Sequence, residues 1–185
     1  MDRILLKITL LLLAGTGGIR CVSQDNSQIY RNYNTEIAPF PFFAPDNSIE
    51  LHKDLNEISG LSYVEEGILA AVEDEHGRIY LLDSENGRIL KTYKFEGRGD
   101  FEAIEYDDGI YYAMESNGDL FSVTLRDGET EAVEKYDTGL KKANDVEGLG
   151  IFEDKLIAAC KGDGEIDGND REGKTAYLLD DEFLK

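Results

Sequence analysis

Three segments of the chain place acids or amides directly before a run of residues typical of a β-strand. They read NEISGLSY (56–63), GDFEAIEY (99–106) and NDVEGLG (144–150). Within them Glu57, Glu102 and Glu147 fall 45 residues apart each time. Carboxylate and amide oxygens are the ligands that Ca²⁺ takes, with loose geometry. If the fold brings these segments together, the chain has a cation or ligand site built from residues distant in sequence.

The rest of the sequence indicates an all-β fold. Short runs rich in Ile, Val, Leu, Tyr and Phe recur along the chain, each bounded by Gly, Asp, Asn or Ser. They read IYLLD, RILKTYKF, GIYYAM, DLFSVTL, EAVEKYD and KLIAAC. No stretch keeps a helical period, so the pattern favours an antiparallel architecture.

A repeat makes this architecture more specific. The segment YVEEGILAAVEDEHGRIYLLD aligns with YDDGIYYAMESNGDLFSVTL, and a third unit from FEDKLIAAC to TAYLLD aligns with both through a longer loop. Each unit has a motif strand, a tight turn at EEG, DDG or EDK, and two more strands. A fourth strand leads to the next motif. Units of this kind predict a β-propeller of four-stranded antiparallel blades.

The blade count predicts an incomplete ring. The segment SIELHKDL (48–55) resembles the outer strand of a blade whose other strands are missing, and the third unit stops after TAYLLDDEFLK. Residues 48–185 then hold about three to four blades, whereas a closed propeller needs at least about four. We therefore expect a partial propeller from a truncated product or gene fragment.

The first strand of each propeller blade lines the central channel, so the loops around these strands form one mouth of the tunnel. We expect an acidic cluster at this mouth. Its candidate metal-binding or ligand-binding residues are Asn56, Glu57, Glu73, Asp74, Asp100, Glu102, Glu115, Asn144, Asp145 and Glu147.

Three interpretations of this acidic cluster stay open. Clustered carboxylates repel one another unless a positive charge lies among them, and a bound Ca²⁺ would supply that charge. Lys161, at the equivalent place in the third unit, would supply it without a metal. In the third interpretation each acid caps backbone N–H groups at a blade junction and binds no ligand.

The loop DGEIDGNDREGK (163–174) resembles an EF-hand calcium loop in its first half. Asp163, Glu165 and Asp167 occupy ligand places, but Lys174 stands where the EF-hand needs a bidentate Glu. The sequence leaves a choice between a weak cation loop and a solvated hairpin tip.

The N-terminus resembles an export signal. Residues 1–23 contain a charged start and an apolar run, ILLKITLLLLAG, that is short for a bilayer span. Cys21 follows as in a bacterial lipoprotein, where the cysteine is lipidated, and cleavage after Ser23 is the alternative. Residues 24–47 are polar and then rich in Pro and Phe, which predicts a linker.

The net charge disfavours one class of partner. The chain has 39 acidic residues against 19 basic ones, a formal charge of −20. Such a field repels phosphate backbones, so we expect no nucleic acid partner. It attracts cations and basic partners.

Three other reactive side chains receive no role from the sequence. Cys160 is the one cysteine beyond the signal region, so no internal disulfide is expected, and it ends an apolar strand. His52 and His76 lie far from each other, and His76 falls in the turn DEHG, where a polar residue needs no function.

Five motifs, in this order, resemble the SdiA-regulated family of bacterial envelope propellers, also called YjiK or CarP-like. They are LNEISGLSY, GRGDFEAIEY, ESNGDLF, NDVEGLGIF and LIAACKG, and the likeness covers about residues 50–185. The family is similar in outline to calcium-associated six-bladed propellers. The resemblance implies an exported or membrane-attached protein whose fold and location are better defined than its chemistry. The acidic loop 163–174 departs from the basic residues expected there.

These observations lead to a functional expectation. We expect an exported protein of the cell envelope, periplasmic or anchored to the membrane through Cys21, that binds a ligand or an envelope protein at the acidic mouth, with Ca²⁺ as a candidate ion and without catalysis. The rival is a Ca²⁺-dependent phosphoesterase or lactonase in which Glu102 or Glu147 acts as base. A nonfunctional gene fragment is the third alternative.

Overall fold

The computed structural model describes residues 47–166, 168 and 173–179. Several sequence predictions fall outside these residues. They are the export signal with Cys21, the linker up to residue 46, and residues 167 and 169–172 of the acidic loop. The described residues from Ser48 onward form one compact unit.

The described residues form three antiparallel sheets. The first sheet contains β1 (Ile58–Glu65), β2 (Ile68–Glu73), β3 (His76–Asp83) and β4 (Ile89–Arg98). The second contains β5 (Phe101–Asp107), β6 (Ile110–Glu115), β7 (Asp119–Arg126) and β8 (Glu129–Asp137). The third contains β9 (Val146–Phe152), β10 (Lys155–Cys160) and β11 (Thr175–Leu179).

The strand order confirms the predicted blades. Each sheet is a meander in which strands that follow one another in sequence are hydrogen-bonded neighbours. The first strands β1, β5 and β9 contact one another in turn, as the inner strands of successive blades do. The fold is therefore an all-β propeller, and its described blades do not close a ring.

Tight turns join the first two strands of each sheet at the predicted places. Gly67 has a φ of 86° in the first, and Asp108 and Gly109 have φ of 42° and 92° in the second. Glu153 and Asp154, at 50° and 62°, form the turn of the third. In the second and third turns the two successive residues with positive φ make the turn whose twist matches that of the flanking strands.

The prediction of an outer strand at residues 48–55 is wrong. Residues 47–52 have no regular structure, and Lys53–Leu55 form a short 3₁₀ helix. The amide of Asp54 donates to the His52 imidazole at 3.3 Å, which caps this turn. Leu55 is buried against Tyr80 and Leu82. Leu51 and Leu55 thus pack onto a sheet face from a coil and a turn.

Aromatic rings fill the space between the first two sheets. Phe95, Phe101 and Phe121 contact one another, with ring centroids 5.2 to 5.6 Å apart. The backbones approach closely at Gly60, where an added Cβ would lie 2.8 Å from the amide nitrogen of Ile104. Only a residue without a side chain fits between these two strands.

The second and third sheets enclose another apolar core. Met114 and Leu120 pack there against Val146, Ala158 and Cys160. Cys160 is buried and free, and burial raises the pKa of its thiol. This confirms the reading of Cys160 as a small core residue.

Candidate functional site

Each sheet has a β-bulge at the same point of its first strand. In β1 the pairing with β2 shifts between Ile58 and Gly60, which leaves Ser59 as the extra residue. In the same way, the pairing of β5 with β6 makes Glu102 the extra residue, and the pairing of β9 with β10 makes Glu147 the extra residue. A bulge bends the strand and redirects the extra side chain, and bulges are frequent beside functional sites.

The bulges define which residues correspond between sheets. Ser59 corresponds to Glu102 and Glu147, so Glu57 corresponds to Asp100 and Asp145. The equal spacing of 45 residues in the sequence is therefore misleading in the first repeat, where bulges at positions 59 and 102 are 43 residues apart.

Repeated backbone hydrogen bonds fix the loops around the bulges. Within the sheets, amides donate to carbonyls from Asp74 to Glu57 (3.2 Å), from Ser116 to Asp100 (2.8 Å) and from Lys161 to Asp145 (2.8 Å). Between sheets, the Phe101 amide donates to the Asp74 carbonyl at 3.1 Å, and Val146 donates to Ser116 at 2.9 Å. These bonds hold neighbouring blades in a common register.

Four carboxylates at these loops lie close enough to Glu102 to act on it electrostatically, and we call the five residues the acidic rim. They are Asp74, Asp100, Glu102, Asp145 and Glu147. Partial burial raises the pKa of Glu102, and the negative charges of the other four residues raise it further. The structure thus brings together five of the ten candidate residues.

One cation lies within the acidic rim. The Lys161 ammonium donates a hydrogen bond to the Glu147 carboxylate and lies 3.4 Å from an oxygen of Asp145. The hydrogen bond to Glu147 and the charge of Asp145 raise the pKa of Lys161, so it stays protonated at neutral pH. Lys161 neutralises one of the five acids and leaves the rim negative.

One oxygen of the rim is buried without a partner. The Oδ1 atom of Asp74 meets no hydrogen-bond donor among the described residues. Such an atom costs roughly 1–3 kcal/mol. Asp100, in contrast, accepts a hydrogen bond from the Ser116 hydroxyl at 2.5 Å. A donor or cation at the rim would satisfy Asp74.

Two candidate residues have structural partners away from the rim. Glu115 lies beside Gly99 in the connection between the first two sheets, accepts a hydrogen bond from the Asn117 amide at 3.0 Å, and has a pKa raised by burial. Asn144 is 1% exposed, and its amide donates to the carbonyls of Asp163 and Glu165 at 2.7 and 2.8 Å. Asn144 therefore holds the start of the acidic loop in place through hydrogen bonds.

The remaining candidates, Asn56, Glu57 and Glu73, line a cavity beside the 3₁₀ helix. His76 lines it too, because it begins β3 and does not occupy the tip of the turn as expected. Its imidazole lies 3.0 Å from the Glu73 carboxylate. Sequence reasoning missed this pair, although Glu73 and His76 are three residues apart at opposite ends of a hairpin turn.

Lys174 shows what replaces the EF-hand ligand in the acidic loop. Its ammonium donates to the carbonyl of Lys161. That carbonyl corresponds to those of Asp74 and Ser116, which accept amides from the next blade. The twelfth position of the loop therefore contacts backbone.

The sequence model of the SdiA-regulated family matches residues 46–156, well over half of the chain. The chain belongs to the SdiA-regulated family. The matched residues include all five acids of the rim, whereas Lys161 lies beyond the end of the match. No match was found among the curated proteins.

Solved structures similar to this SdiA-regulated protein include two natural propellers. The WD40 propeller domain of Doa1 is 16% identical with a TM-score of 0.41, and the match covers 55% of this chain and 32% of Doa1. The PQQ-bound aldose sugar dehydrogenase of Streptomyces coelicolor is 15% identical with a TM-score of 0.42, and the match covers 65% of this chain and 42% of the dehydrogenase. The computationally designed Ika4 protein is 11% identical with a TM-score of 0.39, covering 74% of this chain and 100% of Ika4. The chain thus spans less than half the length of either natural structure.

In the part of the SdiA-regulated chain that the structure describes, there is no helix of the length and apolarity needed to cross a membrane.

Proposed function

We propose that this protein is an exported member of the cell envelope that binds a cationic ligand or partner at the acidic rim, with Ca²⁺ as the candidate ion. In this proposal the protein binds and does not catalyse. The observation that carries it is the surroundings of Glu102, whose pKa is raised by burial and by four neighbouring acids. A bound cation would lower the free energy of carboxylates held together in this way, because it offsets their mutual repulsion.

The donor set of the rim fits Ca²⁺. Its five acids offer only oxygen ligands, which is the preference of this hard ion. The unpartnered Asp74 Oδ1 is one oxygen that a cation would satisfy. Lys161 pairs with one oxygen of Asp145 and one of Glu147, so Ca²⁺ and the Lys161 ammonium compete for these two carboxylates. When bound, the ion would supply positive charge and no chemical step.

Thermal unfolding of the full chain tests the ion. A ligand that binds only the native state raises the midpoint, by about 2.7 kcal/mol of stability at a hundred times its dissociation constant. We expect Ca²⁺ to raise the midpoint relative to a chelator, and Mg²⁺ at equal ionic strength to raise it less. Glu102→Gln with Asp145→Asn should remove most of the difference, whereas Glu129→Gln, an exposed acid of β8, should keep it.

An unchanged midpoint in the parent chain would overturn Ca²⁺ as the ligand. Ca²⁺-dependent turnover of a phosphoester or lactone would overturn the non-catalytic assignment and favour the hydrolase. Both histidines contact acids outside the rim, His52 with Asp54 and His76 with Glu73, so neither supports that rival. A chain that shows no cooperative unfolding would favour a gene remnant.

The location has its own test. The apolar run of residues 1–23 and the position of Cys21 support export and a lipid anchor. Cys21→Ser should release the protein from the membrane fraction of the producing bacterium while Cys160→Ser does not. Membrane retention of Cys21→Ser would contradict the anchor.

A further inference from the structure

A cavity of about 390 Å³ opens on the face of the first sheet that carries the 3₁₀ helix. Its polar lining includes Glu73, Glu75, His76, Arg78 and Tyr80. The cavity is separate from the acidic rim, because none of the five rim acids lines it. Glu73 ends β2 and faces the cavity, whereas Asp74, in the turn that follows, belongs to the rim.

Three side chains in this cavity, those of Glu73, Glu75 and His76, lie close together. The His76 Nδ1 atom lies 3.0 Å from Glu73 Oε1 and 3.9 Å from Glu75 Oε2, and all three groups offer ligand atoms within 4.8 Å of one another. Ligands about 2.0–2.2 Å from a tetrahedral zinc ion lie roughly 3.3–3.6 Å apart. Small side-chain movements would therefore suffice to bind such an ion.

The hairpin between β2 and β3 holds these ligands in place. Glu73 and His76 are paired across it by backbone register, and Asp74 and Glu75 form the turn. Glu73 is 5% exposed, and its carboxylate also accepts the Glu75 amide at 3.0 Å. A buried carboxylate beside an imidazole is thus built into the sheet.

A second observation in the cavity indicates a missing ligand. Tyr80 is 2% exposed, and its hydroxyl meets no hydrogen-bond partner among the described residues. A hydrogen-bond-type interaction with the Tyr80 oxygen raises the pKa of the nearby Arg78 guanidinium, but the two groups do not have the distance and angle of a formed hydrogen bond. A buried hydroxyl normally has a partner.

The second sheet shows that the fold does not require this arrangement. Glu115 corresponds to Glu73, and it is satisfied by the amide of Asn117. Phe121 corresponds to Tyr80, since each lies opposite the matching alanine of the second strand. The same place in the second sheet therefore has neither an imidazole nor a buried hydroxyl.

We propose that Glu73, Glu75 and His76 bind a divalent transition-metal ion of the zinc type. One imidazole and two carboxylates suit Zn²⁺, and three protein ligands leave a fourth position for water in the cavity that Tyr80 also lines. This site is independent of the acidic rim, whose all-oxygen donors suit Ca²⁺.

Titration of the metal-free full chain with Zn²⁺ tests the site, with isothermal calorimetry for affinity and the visible absorption of bound Co²⁺ for an imidazole and carboxylate environment. His76→Ala and Glu75→Gln are each expected to weaken binding at least about tenfold, because each removes a ligand. Arg98→Gln should strengthen it, since Arg98 lies 3.6 Å from Glu75 and competes for that carboxylate.

Matched variants exclude other zinc ligands. His52→Ala removes an exposed histidine outside the cluster and should leave the affinity unchanged, as should Cys21→Ser, which removes a thiol.

Equal affinities in the parent, His76→Ala and Glu75→Gln would overturn the site. So would the absence of binding to the parent, which would make Glu73 and His76 a hydrogen-bonded pair like Glu115 and Asn117. If His76→Ala does not fold, Glu75→Gln decides, because the Glu75 side chain is 55% exposed.

Discussion

Lys161 occupies in the third sheet the position that Asp74 occupies in the first. The amide of each donates to the carbonyl of the acid that precedes the bulge, Glu57 for Asp74 and Asp145 for Lys161. One repeat therefore places a carboxylate at the rim where another places an ammonium. The rim is acidic on the side of the first two blades and partly neutralised on the side of the third.

Lys161→Met is expected to raise the affinity of the rim for Ca²⁺ several-fold. The change removes the cation that pairs with Asp145 and Glu147, so the ion no longer competes with it. Calorimetric titration at fixed ionic strength measures the effect. Lys135→Met removes a lysine that pairs with Asp119 outside the rim, and it controls for net charge. A weaker affinity in Lys161→Met would mean that Lys161 helps to hold the ligand.

Glu102→Gln is expected to stabilise the protein slightly at neutral pH, because Glu102 is only partly buried and solvent screens the repulsion from its neighbours. The pKa of Glu102 is raised above its ordinary 4.5, so the folded state holds the proton more tightly than the unfolded state. Stability is lost as pH rises from the unfolded value through the folded pKa, where Glu102 ionises. Glutamine does not ionise, so its advantage should be present at pH 7 and disappear well below pH 4.5.

Urea unfolding of Glu102→Gln at both pH values checks this expectation. Glu129→Gln, which removes an exposed acid of β8, accounts for the general effect of one less negative charge. An advantage of Glu102→Gln that persists in acid would show that packing, and not ionisation, is responsible.

Gly60→Ala is expected to destabilise the protein by about 1–3 kcal/mol. The added Cβ would lie 2.8 Å from the Ile104 amide nitrogen and 2.9 Å from a methyl group of Val72. The first contact is with backbone of the next blade, which cannot move alone. Gly97→Ala, where a Cβ meets nothing within 4 Å, should change the free energy of unfolding by less than about 0.5 kcal/mol.

Asn144→Ala is expected to destabilise the protein by about 2–3 kcal/mol. It leaves the carbonyls of Asp163 and Glu165 and the amide of Lys141 without their partner. Asn56→Ala alters the corresponding asparagine of the first repeat, which is exposed, and should have little effect. Urea unfolding compares the two. If Asn56→Ala lowers the free energy of unfolding and Asn144→Ala does not, the stabilising role of the Asn144 hydrogen bonds is contradicted.

The propeller could be predicted from the sequence because strand composition, turns and repeats agree with one another. The turns at Gly67, Asp108 and Asp154 are visible as short acidic and glycine motifs between apolar runs. Residues 48–55 misled the prediction, since Ile49 and Leu51 alternate with polar residues as in a strand. Alternation does not reveal whether another strand is available to pair.

The site was harder to predict than the fold. Sequence spacing identified Glu102 and Glu147, but it could not show that each is the extra residue of a bulge, because a bulge depends on pairing with a second strand. It also grouped Glu73 with Asp74, although β2 ends at Glu73, which lines the separate cavity, and Asp74 lies in the turn that follows. The proximity of His76 to Glu73 required the hairpin register.

The bulges determine which genetic changes this protein can tolerate at the rim. A substitution at position 102 alters one side chain, and Ser59 shows that the corresponding place accepts a residue without charge. Deletion of residue 102 would remove the extra residue and leave Phe101 opposite Glu115 and Ala103 opposite Met114, so the rim would lose one carboxylate while both apolar cores keep their side chains. We therefore expect binding preference to change through replacement or loss of the extra residue, while the apolar register on either side of each bulge is kept.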